Sequence, residues 1–204
     1  MRGESISELI DKKLMNEEPV FGITAEDLLQ EYFVTTNPES AEQRLTSNLI
    51  ITLLGLENKG IYKNAVFGLP ALCVLGKGGM DLDCYVNAYW PEYARYGVPD
   101  FQGKKVVIPQ RYQRLIQFYV ELDMADVIIR DGKVDVTAAQ GEADYAIDIV
   151  VTGKTCKEQK LGIFPPVLFL SDGVLLGNCG AKRLINKTNR RNNYDILSIA
   201  KRNA

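Results

Sequence analysis

The pattern of hydrophobic and polar positions is clearest between residues 142 and 162. Residues 145 to 151 first alternate and then run apolar, as does a strand that is covered on both faces. The run ends at Thr152-Gly153-Lys154-Thr155, and helix-forming residues continue to position 160. Gly162 then predicts the end of that helix. The pattern therefore predicts a buried strand that feeds a Gly/Thr turn at the start of a helix.

Helix and strand patterns alternate along the rest of the chain. Strands are predicted at 20–23, 65–75, 103–109, 127–130, 167–170 and 173–176. Helices are predicted at 5–15, 24–32 and 113–122, with Thr24 and Asp27 in the pattern of a capping box. This alternation, with apolar strands, predicts an α/β protein with mainly parallel sheets and two lobes.

Residues 37 to 60 predict one more helix, which begins at Asn37-Pro38 and ends at Gly55. Its apolar positions fall on one face: Leu45, Leu49, Ile50, Leu53 and Leu54. This face either packs on its own lobe or forms a contact between subunits. We expect a homo-oligomer, a dimer or larger.

Charge and composition narrow the class of protein. The 204 residues carry a formal net charge of -2 and a pI near 5.4, which gives no bulk attraction to nucleic acid or to anionic membrane. The tail from Lys182 to Arg202 is basic, and we interpret it as a surface helix because it resembles no nucleic-acid module. No apolar run approaches the roughly 20 residues of a bilayer span. We therefore expect a cytoplasmic protein that binds neither membrane nor nucleic acid.

The inventory of reactive side chains restricts the chemistry further. The chain has no histidine, which excludes Ser-His and Cys-His nucleophiles and His-ligated metals. Its four cysteines show no C-x-x-C spacing, which argues against a zinc site or a redox pair, and we expect them to be reduced core residues. Carboxylates, lysines and a bound metal remain for any catalysis.

The turn at 152–155 has the chemistry of an anion site. A strand that feeds such a turn directs backbone N–H groups and the positive helix end at one spot, which suits a phosphate. Asp148 lies upstream on the same strand, from which a carboxylate reaches a ribose diol or a phosphate-bound Mg²⁺. A nucleotide P-loop is excluded, because that motif needs glycine where Asp148 stands. The alternative is a plain buried strand with a capped helix.

A second turn, Gly76-Lys77-Gly78-Gly79, is also rich in glycine and lysine. No helix signal follows it directly, so we interpret it as a crossover between lobes rather than a phosphate loop.

Residues 141 to 156 read G-E-A-D-Y-A-I-D-I-V-V-T-G-K-T-C. They resemble the phosphoribosyl-diphosphate loop of the ATP phosphoribosyltransferase family, roughly G-x-A-D-A-I-V-D-I-V-E-T-G-x-T-L. Near the N-terminus, R-G-E-S-I-S-E-L-I and F-G-I-T-A-E-D-L-L are similar to the family's R-x-x-D-I-P-x-L-V and L-G-I-T-G-x-D-x-L. The resemblance covers about residues 1 to 32 and 60 to 185. It implies the first step of histidine biosynthesis, in which ATP condenses with phosphoribosyl diphosphate.

The resemblance also implies a fold and partners. It implies the two-lobed fold of type II periplasmic binding proteins, with the ligand in the cleft between lobes. The first lobe would comprise residues 1–78 and 167–204, and the second 79–166. In its short form the family works with a separate regulatory subunit, so this chain is expected to have such a partner as well as a Mg²⁺ cofactor.

Roles for particular residues follow from the same resemblance. Asp148 is expected to be the catalytic acid, directed at the ribose and, through the substrate, at Mg²⁺. Thr152, Gly153, Lys154 and Thr155 are expected to hold the 5-phosphate. Three more residues are candidates for the cleft lining: Arg111, Asp135 and Asp144.

Three departures from the family pattern leave other functions open. Val151 stands where the family has a second acid, the segment F-G-L-P-A-L-C lacks the family's basic residue, and no segment matches the family's early P-K-G-R. We therefore expect a first lobe shortened at its N-terminus. The alternatives to an enzyme are a non-catalytic relative that acts as a regulatory subunit and a cytosolic protein that binds a phosphate ligand.

Overall fold

The computed structural model of the chain describes residues 9–10, 12, 17–35, 50–54, 63–87 and 98–189. The strands are β1 (Phe21–Ala25), β2 (Ile50–Leu53), β3 (Ala71–Gly76), β4 (Lys105–Pro109), β5 (Asp126–Arg130), β6 (Tyr145–Val150), β7 (Gly162–Leu170) and β8 (Gly173–Gly177). The helices are α1 (Glu26–Thr35), α2 (Leu82–Asn87), α3 (Gln113–Tyr119), α4 (Val134–Gln140), α5 (Lys154–Glu158) and α6 (Cys179–Asn189). One turn of 3-10 helix, Gln110–Tyr112, joins β4 to α3.

The larger sheet has five strands in the order β5-β4-β6-β3-β7. β4 pairs parallel with β5 and β6, whereas β3 pairs antiparallel with both β6 and β7. Four strands therefore point the same way, and β3 alone runs against them. This confirms the predicted α/β class with a mainly parallel sheet.

The two central strands of this sheet are buried because both faces are covered. All six residues of β3 are buried, and its side chains alternate between two hydrophobic clusters. Cys73 and Leu75 pack in one cluster, whereas Leu72 and Val74 pack in the other. The side chains of β6 also pack in both clusters, as the continuous apolar run in its sequence predicts.

The smaller sheet has three strands in the order β1-β8-β2, and both pairings are antiparallel. A separate small cluster lies against it: Ile10, Leu29, Val174 and Leu176. Two sheets with separate clusters agree with a two-lobed protein.

The helix predicted for residues 37 to 60 is wrong at residues 50–53, which form strand β2 and pair with β8. The spacing of the leucines and isoleucines fits a helix, but β-branched residues in an edge position also suit a strand, and the pairing with β8 decides between them. Leu45, Leu49 and Gly55 lie outside the described residues.

The last part of the larger sheet differs from the predicted element bounds. β7 begins at Gly162 and continues to Leu170, so the strand is longer than the predicted 167–170. Strand pairing places β3 and all of β7 in the larger sheet. The predicted boundaries instead assign β3 to the first lobe and divide β7 between the two lobes at residue 167. The exact division into lobes stays a prediction. Within the described part of the chain, no helix is both long and apolar enough to cross a membrane.

Candidate functional site

A cavity of about 210 Å³ lies where β6 ends. Its lining comprises Leu75, Asp135, Asp148, Ile149, Val150, Val151, Thr152, Gly153, Thr155 and Cys156. Parallel strands place their carboxyl ends at one edge of the sheet, and ligands of open α/β sheets bind at that edge. The strand and turn that the sequence singles out thus meet in one cavity at the expected edge.

The turn after β6 depends on Gly153. This residue has φ 66°, a left-handed conformation that favours glycine, and it is the N-cap of α5. A Cβ atom at this position would overlap the side chain of Leu82 and come within 3.2 Å of Val66. The turn is also held by a hydrogen bond of 2.8 Å from the Val66 N–H to the Val151 carbonyl. Two neighbouring segments therefore fix the shape of the turn.

The predicted phosphate-binding residues do not all face the cavity. Thr152, Gly153 and Thr155 line it, and the Lys154 N–H donates to Thr152 Oγ1 at 3.3 Å. The Lys154 side chain is exposed and lies 3.7 Å from Glu158, one turn along the helix. The cavity is therefore bordered by hydroxyl and backbone groups of the turn, without the lysine ammonium.

Asp148 is the half-buried acid of the cavity. Its Oδ1 accepts the Ile149 N–H at 2.8 Å. The pKa of Asp148 is raised to about 6, mainly by burial and to a smaller extent by the charge of Asp135, while the hydrogen bond from Ile149 and the positive charge of Arg111 oppose the rise. Perturbation by burial together with specific charges is common at functional sites.

Asp135 reaches the same cavity from the first turn of α4. The chain enters that helix through Gly132 with φ 83° and Lys133 with φ 55°, both left-handed. The structure therefore brings Asp135 and Asp148 together from two separate segments.

Asp144 and Arg111 occupy different places. Asp144 precedes β6 at the opposite end of the strand, is exposed, and accepts the Lys105 N–H through Oδ2 at 2.9 Å. It is not among the residues that line the cavity. Arg111 is exposed in the 3-10 turn after β4, with Cζ 4.7 Å from the centre of the Tyr112 ring. It lies at the carboxyl edge, near enough for its charge to act on Asp148.

The donor set of the cavity fits a magnesium ion that is shared with a substrate. Mg²⁺ is commonly held by one or two carboxylates together with substrate phosphates. Asp135 and Asp148 provide two carboxylates in one cavity, and the charge of Asp135 helps to raise the pKa of Asp148. Among the described residues no group of three or more His, Cys, Asp or Glu could hold a metal without such help.

Sequence reasoning missed two features of the site. Cys156 was expected in the core and is buried, but it also lines the cavity, and burial raises its pKa to about 11. Its position three residues after Gly153, in the first turn of the helix, could have indicated this. Leu75 enters from β3, and only the β3–β6 pairing places it there.

Comparisons with known proteins place this geometry in context. No protein-family model matches the chain. An ATP phosphoribosyltransferase of Corynebacterium kroppenstedtii is 29% identical over 114 residues, which are 56% of this chain and 39% of that protein. An ATP phosphoribosyltransferase of Corynebacterium jeikeium is 40% identical over 58 residues, 28% of this chain and 21% of that protein. The matched segments thus span well under half the length of these curated relatives.

Among solved structures, a chain of the ATP phosphoribosyl transferase (HisG:HisZ) complex from Thermotoga maritima has a similar fold. Its TM-score is 0.59 at 17% sequence identity, and the match covers 98% of this chain and 74% of that chain. The predicted resemblance is therefore confirmed: the chain is similar in sequence to ATP phosphoribosyltransferases and similar in fold to a chain of that complex.

Proposed function

We propose that the chain binds phosphoribosyl diphosphate in the Asp148 cavity and acts as an ATP phosphoribosyltransferase-like subunit. One observation carries the proposal: a half-buried carboxylate and a Gly/Thr turn share one cavity at the carboxyl edge of the larger sheet. The sequence similarity to ATP phosphoribosyltransferases supports phosphoribosyl diphosphate as the substrate.

The turn supplies the contacts for the 5-phosphate. The first N–H groups of a helix have no acceptor within that helix, and at the start of α5 they border the cavity beside the hydroxyls of Thr152 and Thr155. The cavity is smaller than the roughly 300 Å³ at which pockets for whole drug-sized ligands begin. We therefore assign it to the 5-phosphate and the ribose, and leave the diphosphate outside it.

Asp148 faces the ribose in this arrangement. As a carboxylate it accepts hydrogen bonds from the ribose hydroxyls, and it stabilises the positive charge that develops on the sugar as diphosphate departs. The bond from C1 of the ribose to diphosphate breaks, and a bond from C1 to ATP forms. Asp148 and Asp135 would also hold Mg²⁺ jointly with the substrate; bound there, the ion would neutralise charge on the diphosphate.

One observation favours binding without turnover as a second candidate. Val151, where the family has its second acid, is 36% exposed and lines the cavity. A site with one acid fewer still binds an anion, because the turn is unaffected, but it stabilises a positive transition state less. A regulatory subunit or a phosphate-ligand binding protein would have this composition.

The partners follow from the same proposal. A subunit of this kind would work in the cytoplasm with ATP and phosphoribosyl diphosphate, and a separate regulatory subunit would be its protein partner. The homo-oligomer predicted from residues 37 to 60 stays a prediction, because most of that segment lies outside the described residues.

The test compares Asp148, which lies in β6 and lines the cavity, with Asp144, which lies just before β6 and outside the cavity. Titration calorimetry with phosphoribosyl diphosphate and Mg²⁺ measures binding, and the ultraviolet absorbance of phosphoribosyl-ATP measures turnover. Asp148→Asn should lower turnover by about 30- to 1000-fold, the equivalent of about 2–4 kcal/mol of lost transition-state stabilisation. Asp144→Asn removes the same charge outside the cavity and should leave both measurements unchanged.

The outcomes separate the two candidate functions. Binding heat without turnover in the wild type, with or without a regulatory subunit, would favour the binding protein. Absence of both heat and a thermal shift at millimolar ligand would refute the proposed site. Turnover that Asp148→Asn leaves intact would contradict the role assigned to this acid.

A further inference from the structure

Helix α1 connects the two hydrophobic clusters that belong to different sheets. Its Leu29 packs with Val174 and Leu176 of the smaller sheet. Leu28, the preceding residue, packs against the cluster that contains Tyr112 and Leu115 on the larger sheet. A change in the position of α1 therefore affects both parts of the molecule.

Asp27, near the start of α1, is buried among partners that are distant in sequence. Ser171 Oγ donates to Asp27 Oδ1 at 2.6 Å and accepts the Asp27 N–H at 3.1 Å. The Tyr112 hydroxyl faces the same carboxylate: burial raises the pKa of this phenol, and the nearby Asp27 carboxylate adds to the rise. The exposed fractions of Asp27, Ser171 and Tyr112 are 4%, 2% and 4%. Since Ser171 lies between β7 and β8, one carboxylate connects α1, the link between sheets and the turn after β4.

Glu31 makes a second connection one helical turn further on. Its carboxylate accepts the Arg114 N–H at 3.3 Å and also the Leu115 N–H. These groups lie in the first turn of α3, where backbone N–H groups have no acceptor within the helix. Burial raises the pKa of Glu31, and the two N–H groups lower it in turn. Asp27 and Glu31 thus hold residues 110–115 at two points.

The segment held in this way carries Arg111 at the carboxyl edge of the larger sheet, where its charge acts on Asp148. The pairs Val106–Tyr145 and Val107–Ala146 set the register of β4 and β6, so Pro109 is level with Asp148. Arg111 follows two residues later, with its guanidinium over the Tyr112 ring. The ring is the surface on which Arg111 rests, and α1 fixes the ring.

We propose that Asp27 and Glu31 are positioning residues, which hold the turn at 110–112 against α1 and so keep Arg111 beside the Asp148 cavity. The proposal rests on the proposed function only for the identity of the ligand that Arg111 would bind. The guanidinium would face the diphosphate, outside the cavity that holds the ribose and 5-phosphate. Arginine suits that task because its planar fork binds phosphate oxygens in pairs.

The first test needs no ligand. The position of Arg111 over an aromatic ring displaces its side-chain proton resonances, and NMR of the free protein measures that displacement. Glu31→Ala should return these resonances toward the values of an unfolded peptide and should speed hydrogen exchange at the Arg114 and Leu115 amides by about tenfold or more. Glu31→Gln keeps one acceptor oxygen and should restore part of both effects.

The matched control is Glu17→Ala, which removes an exposed carboxylate that pairs with Arg183 at 3.2 Å. It should leave the Arg111 resonances in place. A folded Glu31→Ala protein with the same Arg111 resonances as this control would overturn the proposal. If Glu31→Ala does not fold, Tyr112→Phe decides, because it removes the hydroxyl and keeps the ring; unchanged Arg111 resonances in that variant would also overturn it.

A binding cycle then tests whether Glu31 acts through Arg111. Glu31→Ala, Arg111→Gln and the double variant are titrated with phosphoribosyl diphosphate. Each single change should weaken binding by about tenfold, and the double variant should bind no more weakly than Arg111→Gln alone. Losses that multiply would contradict action through Arg111. A wild type that binds no ligand would refute the proposed function, while the NMR result would still decide the positioning.

Discussion

Two turns of this chain both contain glycine and lysine, but they lie in different surroundings. The turn Gly76-Lys77-Gly78-Gly79 begins at the last residue of β3, and the turn Thr152-Gly153-Lys154-Thr155 comes after β6, the neighbouring strand. Because β3 and β6 are antiparallel, with Gly76 opposite Tyr145, the two turns lie at opposite edges of the larger sheet. Only the second turn lies at the carboxyl edge of the four strands that share one direction.

The backbone groups of the two turns are used differently. The Gly79 N–H donates to the Gly76 carbonyl at 3.4 Å, and Met80 exchanges hydrogen bonds of 2.9 and 2.8 Å with Ile163. The first turn thus continues into a contact with β7. The second turn opens a helix beside a cavity and beside a half-buried acid. Glycine and lysine content therefore does not distinguish the two turns; the cavity and the half-buried acid beside the second turn do.

Alanine substitution of the glycines should give the largest difference between the two turns, measured as protein stability and as affinity for phosphoribosyl diphosphate. A Cβ atom at Gly79 would overlap the backbone of Gly162, which cannot move aside like a side chain. Gly79→Ala should destabilise the protein by about 1–3 kcal/mol or more, as overpacking does, with unchanged affinity for phosphoribosyl diphosphate. Gly153→Ala should also lose stability, because its Cβ atom would overlap the Leu82 side chain. Unlike Gly79→Ala, it should weaken the affinity by about tenfold or more, because the turn must change its left-handed conformation.

Urea unfolding and calorimetry on the same two variants check this contrast. Gly78→Ala is a useful third variant, because it also has a left-handed φ of 86° but meets no atom within 4 Å. It should lose stability and keep affinity. Equal loss of affinity in all three variants would show that the two turns do not differ in function.

The pH dependence of stability should mark the second turn and not the first. The pKa of Asp148 rises from its ordinary 3.8 to about 6 on folding, so its favourable contribution is complete below about pH 4 and is lost as the pH rises through 6. Asp148→Asn should therefore match the wild type near pH 4 and exceed it near pH 7 by about 1–3 kcal/mol. Asp144→Asn controls for the loss of one charge at an exposed position, just before β6.

Urea unfolding at several pH values from 4 to 7 provides the measurement, without ligand. A difference between Asp148→Asn and wild type that is constant over this range would mean that burial does not perturb the acid. Asp148 would then be an ordinary surface carboxylate. The second turn would no longer differ from the first by having a perturbed acid beside it.

Local patterns predicted the strand and turn of the site because their causes are local. The apolar run at 145–150 predicts a strand that is buried on both faces, and the turn residues at 152–155 predict the helix that follows. Both strand and helix formed where expected. The interpretation of residues 76 to 79 as a crossover between lobes stays a prediction, and helix α2, which begins soon afterwards at Leu82, was not predicted.

Contacts between distant segments could not be read in the same way. Asp135 enters the cavity only because left-handed residues at 132 and 133 set the direction of α4. Asp27, placed by its spacing in a capping box, bonds instead to Ser171, which lies 144 residues away. Residues 50–53 have helical spacing, yet pairing with β8 makes them a strand. In each case a tertiary partner outweighs the local preference.

The two lysines offer the smallest and sharpest comparison of the turns. Lys154 is one of the four residues that the sequence assigns to the phosphate, but its side chain is 78% exposed and pairs with Glu158 at 3.7 Å. An exposed pair of this kind contributes little, so Lys154→Gln should reduce affinity for phosphoribosyl diphosphate by about threefold or less. Lys77→Gln, the equivalent change in the first turn, should have no effect. Calorimetry at two salt concentrations distinguishes the cases, because a distant charge is screened by salt and a direct contact is not. A loss of more than about tenfold for Lys154→Gln that persists at high salt would mean that this lysine turns from Glu158 to the phosphate when ligand binds, as the sequence first predicts.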